Sequence, residues 1–369
     1  MGKTFAPPGV VEEISARRRQ KLARYPGLGE QYLKVRRDAL RQMDALVEKA
    51  IQTLRAKKCQ VHLAADAAEA RELILNLVDA PMVVKSRSLA LGEIGVVPAL
   101  EAKGVKVVET ALGDFVVQLA GERPAHPVLP AWHISETEIL NVLKSKLGVA
   151  GDLHRALAGV REHLRRYLVS AAYGLTGANA VVAENGSLVI MEDEGNARAV
   201  SNLPHTHIAV VGIEKIVPDQ EDAMTVCRTA AVYGTGQDIG NYLSIITGPS
   251  STGDIQGKQV FGMHGPKRVI VILLDNGRRR CLESGFEELL YCNNCGACLE
   301  VCPVFKARGP AYGHHYPGGR GAAFAAFTDG ITAAREAGLD WCQSCGKCRE
   351  VCPAGINTPE LIKRLSVIL

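Results

Sequence analysis

Polar and apolar positions fall into three textures along the chain. From residue 12 to about 58 there is no glycine or proline apart from Pro26-Gly27 and Gly29, and Ala, Leu, Arg, Lys and Glu dominate. Strong helix formers with a single interior break predict two helices parted near Pro26. From about 59 to 280, short β-branched runs alternate with amphipathic stretches. That pattern predicts strands at 82–85, 105–109, 115–119, 207–212, 242–247 and 268–275, and helices at 66–78, 92–103, 135–147, 152–172 and 219–232. Strands taking turns with helices argue for an α/β layered domain on a largely parallel sheet. One hairpin is expected within it, with arms 180–184 and 187–191 joined by Asn185-Gly186. From 281 onward the pattern is set by cysteines, so three parts are expected: 1–58, 59–280 and 281–369.

Composition narrows the function classes. A length of 369 residues allows two or three domains at about 150 residues each. An apolar share of 47% against 22% charged residues excludes intrinsic disorder and a fibrous repeat. Lys and Arg total 43 against 39 Asp and Glu, and a net charge of +4 calls for neither nucleic acid nor an anionic membrane as partner. The longest apolar runs, such as Val269 to Leu274, fall far short of the ~20 residues of a membrane span, so no transmembrane segment is expected. The opening MGKTFAPPGV lacks the apolar core of a secretory signal, and Ala6 stands where a myristoylation motif wants Ser or Thr. A cytoplasmic location is the expectation. The string Arg17-Arg18-Arg19 with Lys21 reads as a solvated helix face, docking to an acidic partner being its other use.

The strongest chemical signal is the cysteine distribution. Of eleven cysteines, Cys59, Cys227 and Cys281 stand alone and read as small buried hydrophobes, while eight crowd between residues 292 and 352. The run Cys292-x2-Cys295-x2-Cys298-x3-Cys302-Pro303 is repeated as Cys342-x2-Cys345-x2-Cys348-x3-Cys352-Pro353. To wrap a cubane cluster, a chain must present three thiolates from one tight turn. Two-residue spacers permit this, and Gly296 and Gly346 let the backbone come close. Both runs are similar to those of two-cluster ferredoxins, in which the fourth cysteine serves the neighbouring cluster. That similarity implies two [4Fe-4S] clusters, one on Cys292, Cys295, Cys298 and Cys352 and the other on Cys342, Cys345, Cys348 and Cys302. Zinc on four cysteines is the competing reading, but it favours two close pairs separated by a longer loop. Disulfides are disfavoured without an export signal.

Nucleotide loops are weaker. Gly234-x-Gly236-x3-Gly240 misses the dinucleotide fingerprint by one residue and precedes a strand rather than following one, and no Walker A sequence occurs. Gly248-Pro-Ser-Ser-Thr-Gly-Asp254 follows the expected strand 242–247, where loops of an α/β sheet line a ligand crevice. Its hydroxyls and N–H groups suit a carboxylate or phosphate, although a Gly-Pro turn closed by local hydrogen bonds explains the same residues. Further polar residues at strand ends include Glu194, His205 and Glu214. The candidate ligand site comprises Lys85, Ser86, Glu184, Asn196, His207, Lys215, Ser250, Thr252, Asp254 and His264. Histidine suits acid–base work near neutral pH, but no clear acid–base pair emerges and no catalytic residue is assigned.

Longer stretches carry a family resemblance. VVKSRSLALGEIG (83–95), VVETALGDFVVQLAGERPAH (107–126), LTGANAVVAENGSLVIMEDEGN (175–196), LPHTHIAVVGIEKIVP (203–218), ITGPSSTGDI (246–255), GMHGPKRVIVILLDNGR (262–278) and both cysteine runs resemble the lactate utilisation protein B family, which fuses a LUD domain to a two-cluster ferredoxin module. The resemblance covers about residues 60–365. It implies an α/β fold of the glucosamine-6-phosphate deaminase and CoA-transferase class, two [4Fe-4S] clusters and a cytoplasmic complex. It also implies two partners, a cysteine-rich protein of the heterodisulfide-reductase type and a second LUD-domain protein. The residues on the family's polar positions are Lys85, Ser86, Glu93, Thr176, Asn179, Glu184, Asn196, His207, Glu214, Lys215, Ser250, Thr252, Asp254 and His264. Three departures stand out. The chain ends 17 residues after Cys352, where the family continues; Asn185 and Ser187 stand where it tends to have Thr; and AYGHHYPGGRGAAF (311–324) keeps the AYG and YPG landmarks but differs between and beyond them. A shorter C-terminus is expected to go with a different partner, and so with a different substrate.

Two functions follow as expectations. One is an iron–sulfur electron-transfer subunit of a complex oxidising L-lactate, or a related 2-hydroxy acid, to the 2-oxo acid, inactive on its own. The other is electron wiring for a flavoprotein or heterodisulfide-reductase-type oxidoreductase, with the LUD domain as a docking platform.

Overall fold

The computed structural model describes residues 5–368, so the acylation reading of Met1-Gly2 lies outside the described residues. Twelve strands form three sheets: β1 Gln60–Ala64, β2 Met82–Lys85, β3 Lys106–Glu109, β4 Tyr173–Thr176, β5 Ala180–Val182, β6 Ser187–Glu192, β7 Thr206–Gly212, β8 Ile216–Val217, β9 Tyr242–Ile246, β10 Ser251–Ile255, β11 Lys258–Phe261 and β12 Arg268–Leu274. Six of them make an all-parallel sheet in the order β1-β12-β7-β4-β2-β3. Its central strands are apolar along their whole length, Ile208, Val210, Ile270 and Ile272 all being fully buried, because helices cover both faces. A smaller sheet, β8-β5-β6-β9, and the hairpin β10-β11 complete the domain.

Helices at Ala67–Leu77, Glu136–Leu147, Leu153–Ser170 and Gln220–Thr235 lie where periodicity puts them. The stretch 92–103 is divided at Gly95, whose φ of 62° is left-handed, into Leu89–Glu93 and Val96–Ala102. The expected strand at 115–119 is instead the helix Leu112–Ala120. Phe115, Val116 and Val117 bury themselves in one cluster with Val84 and Val108 of the sheet, so packing overrides the β propensity of the run. Strand 242–247 exists as β9, but it pairs antiparallel with β6 in the smaller sheet. The Asn185-Gly186 hairpin forms with a four-residue turn, 183–186, rather than a two-residue one. Ala183 and Glu184 donate their N–H groups to Val217 and Pro218 and so leave the β5-β6 ladder early.

The N-terminal region holds three helices, Pro8–Arg24, Leu28–Arg41 and Met43–Ala56. The expected break falls at left-handed Gly27 and a second one at Gln42. A Cβ at Gly29 would lie 2.9 Å from the Pro353 carbonyl, so only glycine lets this helix approach the second cysteine run. Arg18 corrects the solvated-face reading: it is buried and pairs with Glu300 at 2.6 Å, while Lys21 reaches Asp238. The remainder, from Arg278 on, is helical, with short helices such as Ala297–Val301, Gly318–Thr328 and Thr358–Ile368. One continuous core joins all three parts, running from Tyr32 and Leu54 through Val181 and Val211 to Phe324 and Leu361. Cys59, Cys227 and Cys281 are small buried members of it.

A buried ionic network anchors the junction. Arg278 lies between Glu93, which it meets twice at 2.8 Å, and Glu214, while Tyr316 and Asn276 donate to Glu93 at 2.6 and 2.7 Å. Burial alone would push the Glu93 carboxyl up; the charge and hydrogen bonds of Arg278, with Tyr316 and Asn276, bring it down to about 2. That is below the ~4.3 of an unfolded glutamate. Its contribution to stability is therefore present above about pH 4.5 and is lost as pH falls toward 2. Urea midpoints measured from pH 6 to 3.5 should fall more steeply for the wild type than for Glu93→Gln; parallel slopes would count against the pairing.

Candidate functional site

Strand order decides where a ligand crevice opens. After β2 the chain moves outward to β3, then returns to β4 on the other flank of β2. The loops that follow β2 and β4 part there, and a crevice is left beyond the C-terminal strand ends. It is a cavity of about 720 Å³, floored by Ser86–Ser88, Ala111–Gly113, Gly177–Asn179 and Lys215. The β6 edge, Glu194 and Asn196 form one side, and the loop Pro127–Trp132 and Asn293–Cys295 close over it. The first cysteine run thus supplies part of the wall.

The charges around this cavity are largely engaged. Arg87 pairs with Asp114 at 2.7 Å and donates to the Pro127 carbonyl at 2.7 Å, holding the closing loop. Lys215 donates to the Ala178 carbonyl at 3.0 Å, and burial pushes its pKa down. Glu194 accepts from the Leu112 N–H at 2.9 Å, and burial raises its pKa. Asn196 donates to Thr110 at 3.0 Å.

Of the expected ligand residues, Ser86, Asn196 and Lys215 line the cavity. Lys85 is buried beside it in an ion pair with Glu109. His207 is fully buried, with Nε2 2.7 Å from the Thr176 hydroxyl, and burial lowers its pKa to about 4, so it stays neutral. Glu184 is exposed in the hairpin turn. Ser250, Thr252, Asp254 and His264 do not line the cavity, which corrects their expected position. The expectation rested on a strand of the main sheet, whereas β9 leads from the smaller sheet into the exposed β10-β11 hairpin. There Thr252 Oγ1 accepts from the Asp254 N–H, a local turn bond. Arg87 escapes a reading of local pattern because its partners Asp114 and Pro127 lie on other segments.

Two thiol groups form beyond the cavity. The Cys298 thiol is raised well above its usual range by burial, then by neighbouring Cys292, Cys295 and Cys352, with Cys348 the weakest contributor. Burial raises Cys302 too, and its thiol neighbours are Cys342 and Cys345; burial pushes Cys348 to about 11, with Cys342, Cys302 and Cys345 adding to the shift. The first three thiols of each run thus neighbour the fourth of the other. Such thiols ionise only when a cation offsets their mutual repulsion.

The donor set and the close packing both fit iron–sulfur ligation. Among the described residues no three of these thiols lie within 4.8 Å of one another, a wider spread than a single zinc would impose, whereas a cubane distributes its ligands over four irons. Left-handed Gly296 is packed so closely that a Cβ there would meet His126 Nε2 at 2.1 Å. His126 Nδ1 accepts from the N–H groups of Val128 and Leu129, which assigns the proton to Nε2. Nε2 and Asn293 Nδ2 are buried without partners beside the first group. In the second group, Cys302, Cys342, Cys345 and Cys348 line one cavity with Tyr312 and Thr358. Backbone N–H groups of Ala354, Gly355 and Ile356 point at Cys352 and lower its thiol pKa against the larger effect of burial.

Comparison with known proteins agrees with this arrangement. The family model of the LUD domain matches residues 47–274, and that of a 4Fe-4S dicluster domain matches residues 288–356. The chain is 34% identical over 309 residues to lactate utilization protein B of Macrococcus caseolyticus, covering 82% of this chain and 63% of that protein. It is 34% identical over 335 residues to lactate utilization protein B of Geobacillus kaustophilus, covering 89% and 67%. It is also 34% identical over 322 residues to YkgF of Escherichia coli, an uncharacterized electron transport protein, covering 85% and 66%. The chain spans about two thirds of the length of these relatives. Among the described residues no helix is long and apolar enough to cross a membrane. An α/β domain whose strand ends abut a helical dicluster region, matched at both ends and across most of its length, makes this chain a member of the LUD-domain family, of the lactate utilization protein B type.

Proposed function

We propose that the chain is the electron-transfer subunit of a complex oxidising L-lactate, or a related 2-hydroxy acid, to the 2-oxo acid. The observation that carries this reading is that Cys295 belongs both to the first thiol group and to the wall of the strand-end cavity. In this reading Cys292, Cys295, Cys298 and Cys352 hold one [4Fe-4S] cluster, and Cys342, Cys345, Cys348 and Cys302 hold the second. When bound, such clusters supply one-electron acceptors and donors. A hydroxy acid surrenders two electrons and two protons, so a partner handles the pair: a cysteine-rich heterodisulfide-reductase-type protein with a second LUD-domain protein. This chain's own residues shape the path. Arg87 pins the Pro127–Trp132 loop over the cavity, and His126 and Asn293 present N–H groups beside the first thiol group.

A second reading is favoured by cavity size. A volume of about 720 Å³ is far more than a three-carbon acid fills, as expected if the LUD domain instead receives part of a flavoprotein partner. Lactate-dependent reduction of an artificial acceptor separates the two. The purified holoprotein should be inactive alone and turn over only with the cysteine-rich and LUD-domain partners. Robust turnover by the single chain would overturn the subunit reading. Failure with every such combination, alongside reduction by an unrelated flavoprotein, would favour wiring. Calorimetric titration of lactate and pyruvate into the full chain should show binding that Lys215→Met and Arg87→Met weaken; heats unchanged by both variants would remove the cavity from the proposal.

A further inference from the structure

Away from both thiol groups, His314, His315 and Asp329 bring three ligand atoms within 4.8 Å of one another. His314 Nδ1 and His315 Nε2 lie 3.6 and 3.0 Å from the same oxygen, Asp329 Oδ2. Two donors bound to one ion at about 2.1 Å can be no more than about 4.2 Å apart, and both distances satisfy that limit. The rings are 4.0 Å apart and nearly perpendicular, at 86°, so neighbouring residues turn different nitrogens toward one point. His315 Nε2 is buried and makes no hydrogen bond despite its closeness to the carboxylate.

The frame that holds them is built from backbone. Gly313, with φ of 115°, and Pro317 bridge across the turn that carries both histidines, and the Gly318 N–H closes it onto the Tyr312 carbonyl at 2.6 Å. Asp329 ends the helix Gly318–Thr328, its N–H bonded to Ala325 at 2.8 Å, and the Thr328 hydroxyl donates to Oδ2 at 2.6 Å. A hydroxyl bonded to a ligating carboxylate is the usual outer support of a metal site. Arg123 and Glu336, of opposite charge, are the other ionic groups within reach of His314.

We propose that His314, His315 and Asp329 form a site for one divalent transition-metal ion of the zinc class, distinct from the cysteine groups. Two imidazoles and one carboxylate select zinc, nickel or cobalt over magnesium or calcium, which take oxygen ligands. His314 and Asp329 are partly open to solvent, so the remaining coordination position faces water, where a water molecule or an external ligand completes the sphere.

The test uses cluster-loaded holoprotein, washed with a mild chelator, dialysed against zinc and analysed for zinc and iron together. One zinc per chain should be retained with iron unchanged. His315→Ala and Asp329→Asn should abolish retention, with iron content and melting temperature preserved as evidence of folding. Thr328→Val should weaken binding about 10-fold in competition with a chromophoric chelator. Zinc retained equally by all variants, zinc gained only as iron is lost, or no retention of zinc, nickel or cobalt would each overturn the assignment.

Discussion

Cys352→Ser is expected to abolish the cluster associated with the first cysteine run, although Cys352 belongs to the second. Iron should fall from about 8 to about 4 per chain, as the loss of one of two four-iron clusters demands. The Cys352 thiol neighbours that of Cys292, and its sulfur receives N–H groups from the turn 354–356. The Cys298 thiol in turn counts Cys352 among its neighbours. Serine keeps the size of the side chain and removes the soft ligand, so the turn stays while the site loses a corner. EPR of the reduced variant beside Cys342→Ser provides the comparison. The two should lose different signals, Cys342→Ser that of the group containing Cys302. If Cys352→Ser and Cys342→Ser lose the same signal, the crossed assignment is wrong. Zinc at about two per chain in place of iron would refute clusters altogether.

The second large effect concerns folding. Arg278→Met should destabilise the chain by about 3–5 kcal/mol, because it leaves the buried Glu93 and Glu214 carboxylates facing one another without their shared cation. A melting temperature lower by roughly 5 °C or more is the expected reading. The network also reaches Tyr316 in the dicluster region, so the variant should lose iron more readily on heating. Replacing the carboxylates as well, with Glu93→Gln and Glu214→Gln beside Arg278→Met, should recover most of the loss, since a neutral buried trio has no unpaired charge. If the single variant melts with the wild type, the network is not what joins the two regions.

Features encoded by local spacing are legible in the amino-acid sequence alone. The duplicated cysteine runs identify a dicluster module, because ligands two and three residues apart must come from one turn. The helices at 67–77, 136–147, 153–170 and 220–235 follow from 3.6-residue periodicity, and the run Val269–Leu274 from the continuous apolarity of a doubly covered strand. The break at Pro26-Gly27 is equally plain. Ser86, Asn196 and Lys215 stand out because polar residues at strand ends are where α/β sheets hold ligands.

Tertiary structure alone decided the rest. The segment around Phe115 carries strand-like residues, yet the sheet offers it a face to cover rather than an edge to extend. Strand β9 has the pattern of a sheet strand and says nothing of which sheet; its pairing with β6 removed Ser250, Thr252 and Asp254 from the crevice. Arg18 reads as a solvated charge until Glu300, 282 residues away, is folded against it, and Arg278 meets Glu93 across 185. His314 and His315 are a histidine pair in a turn until the end of a helix brings Asp329 to them. Periodicity and ligand spacing are written within a few residues and survive in the bare sequence. Strand order and the pairing of distant charges depend on which surfaces meet once the chain closes, and only the folded molecule supplies that.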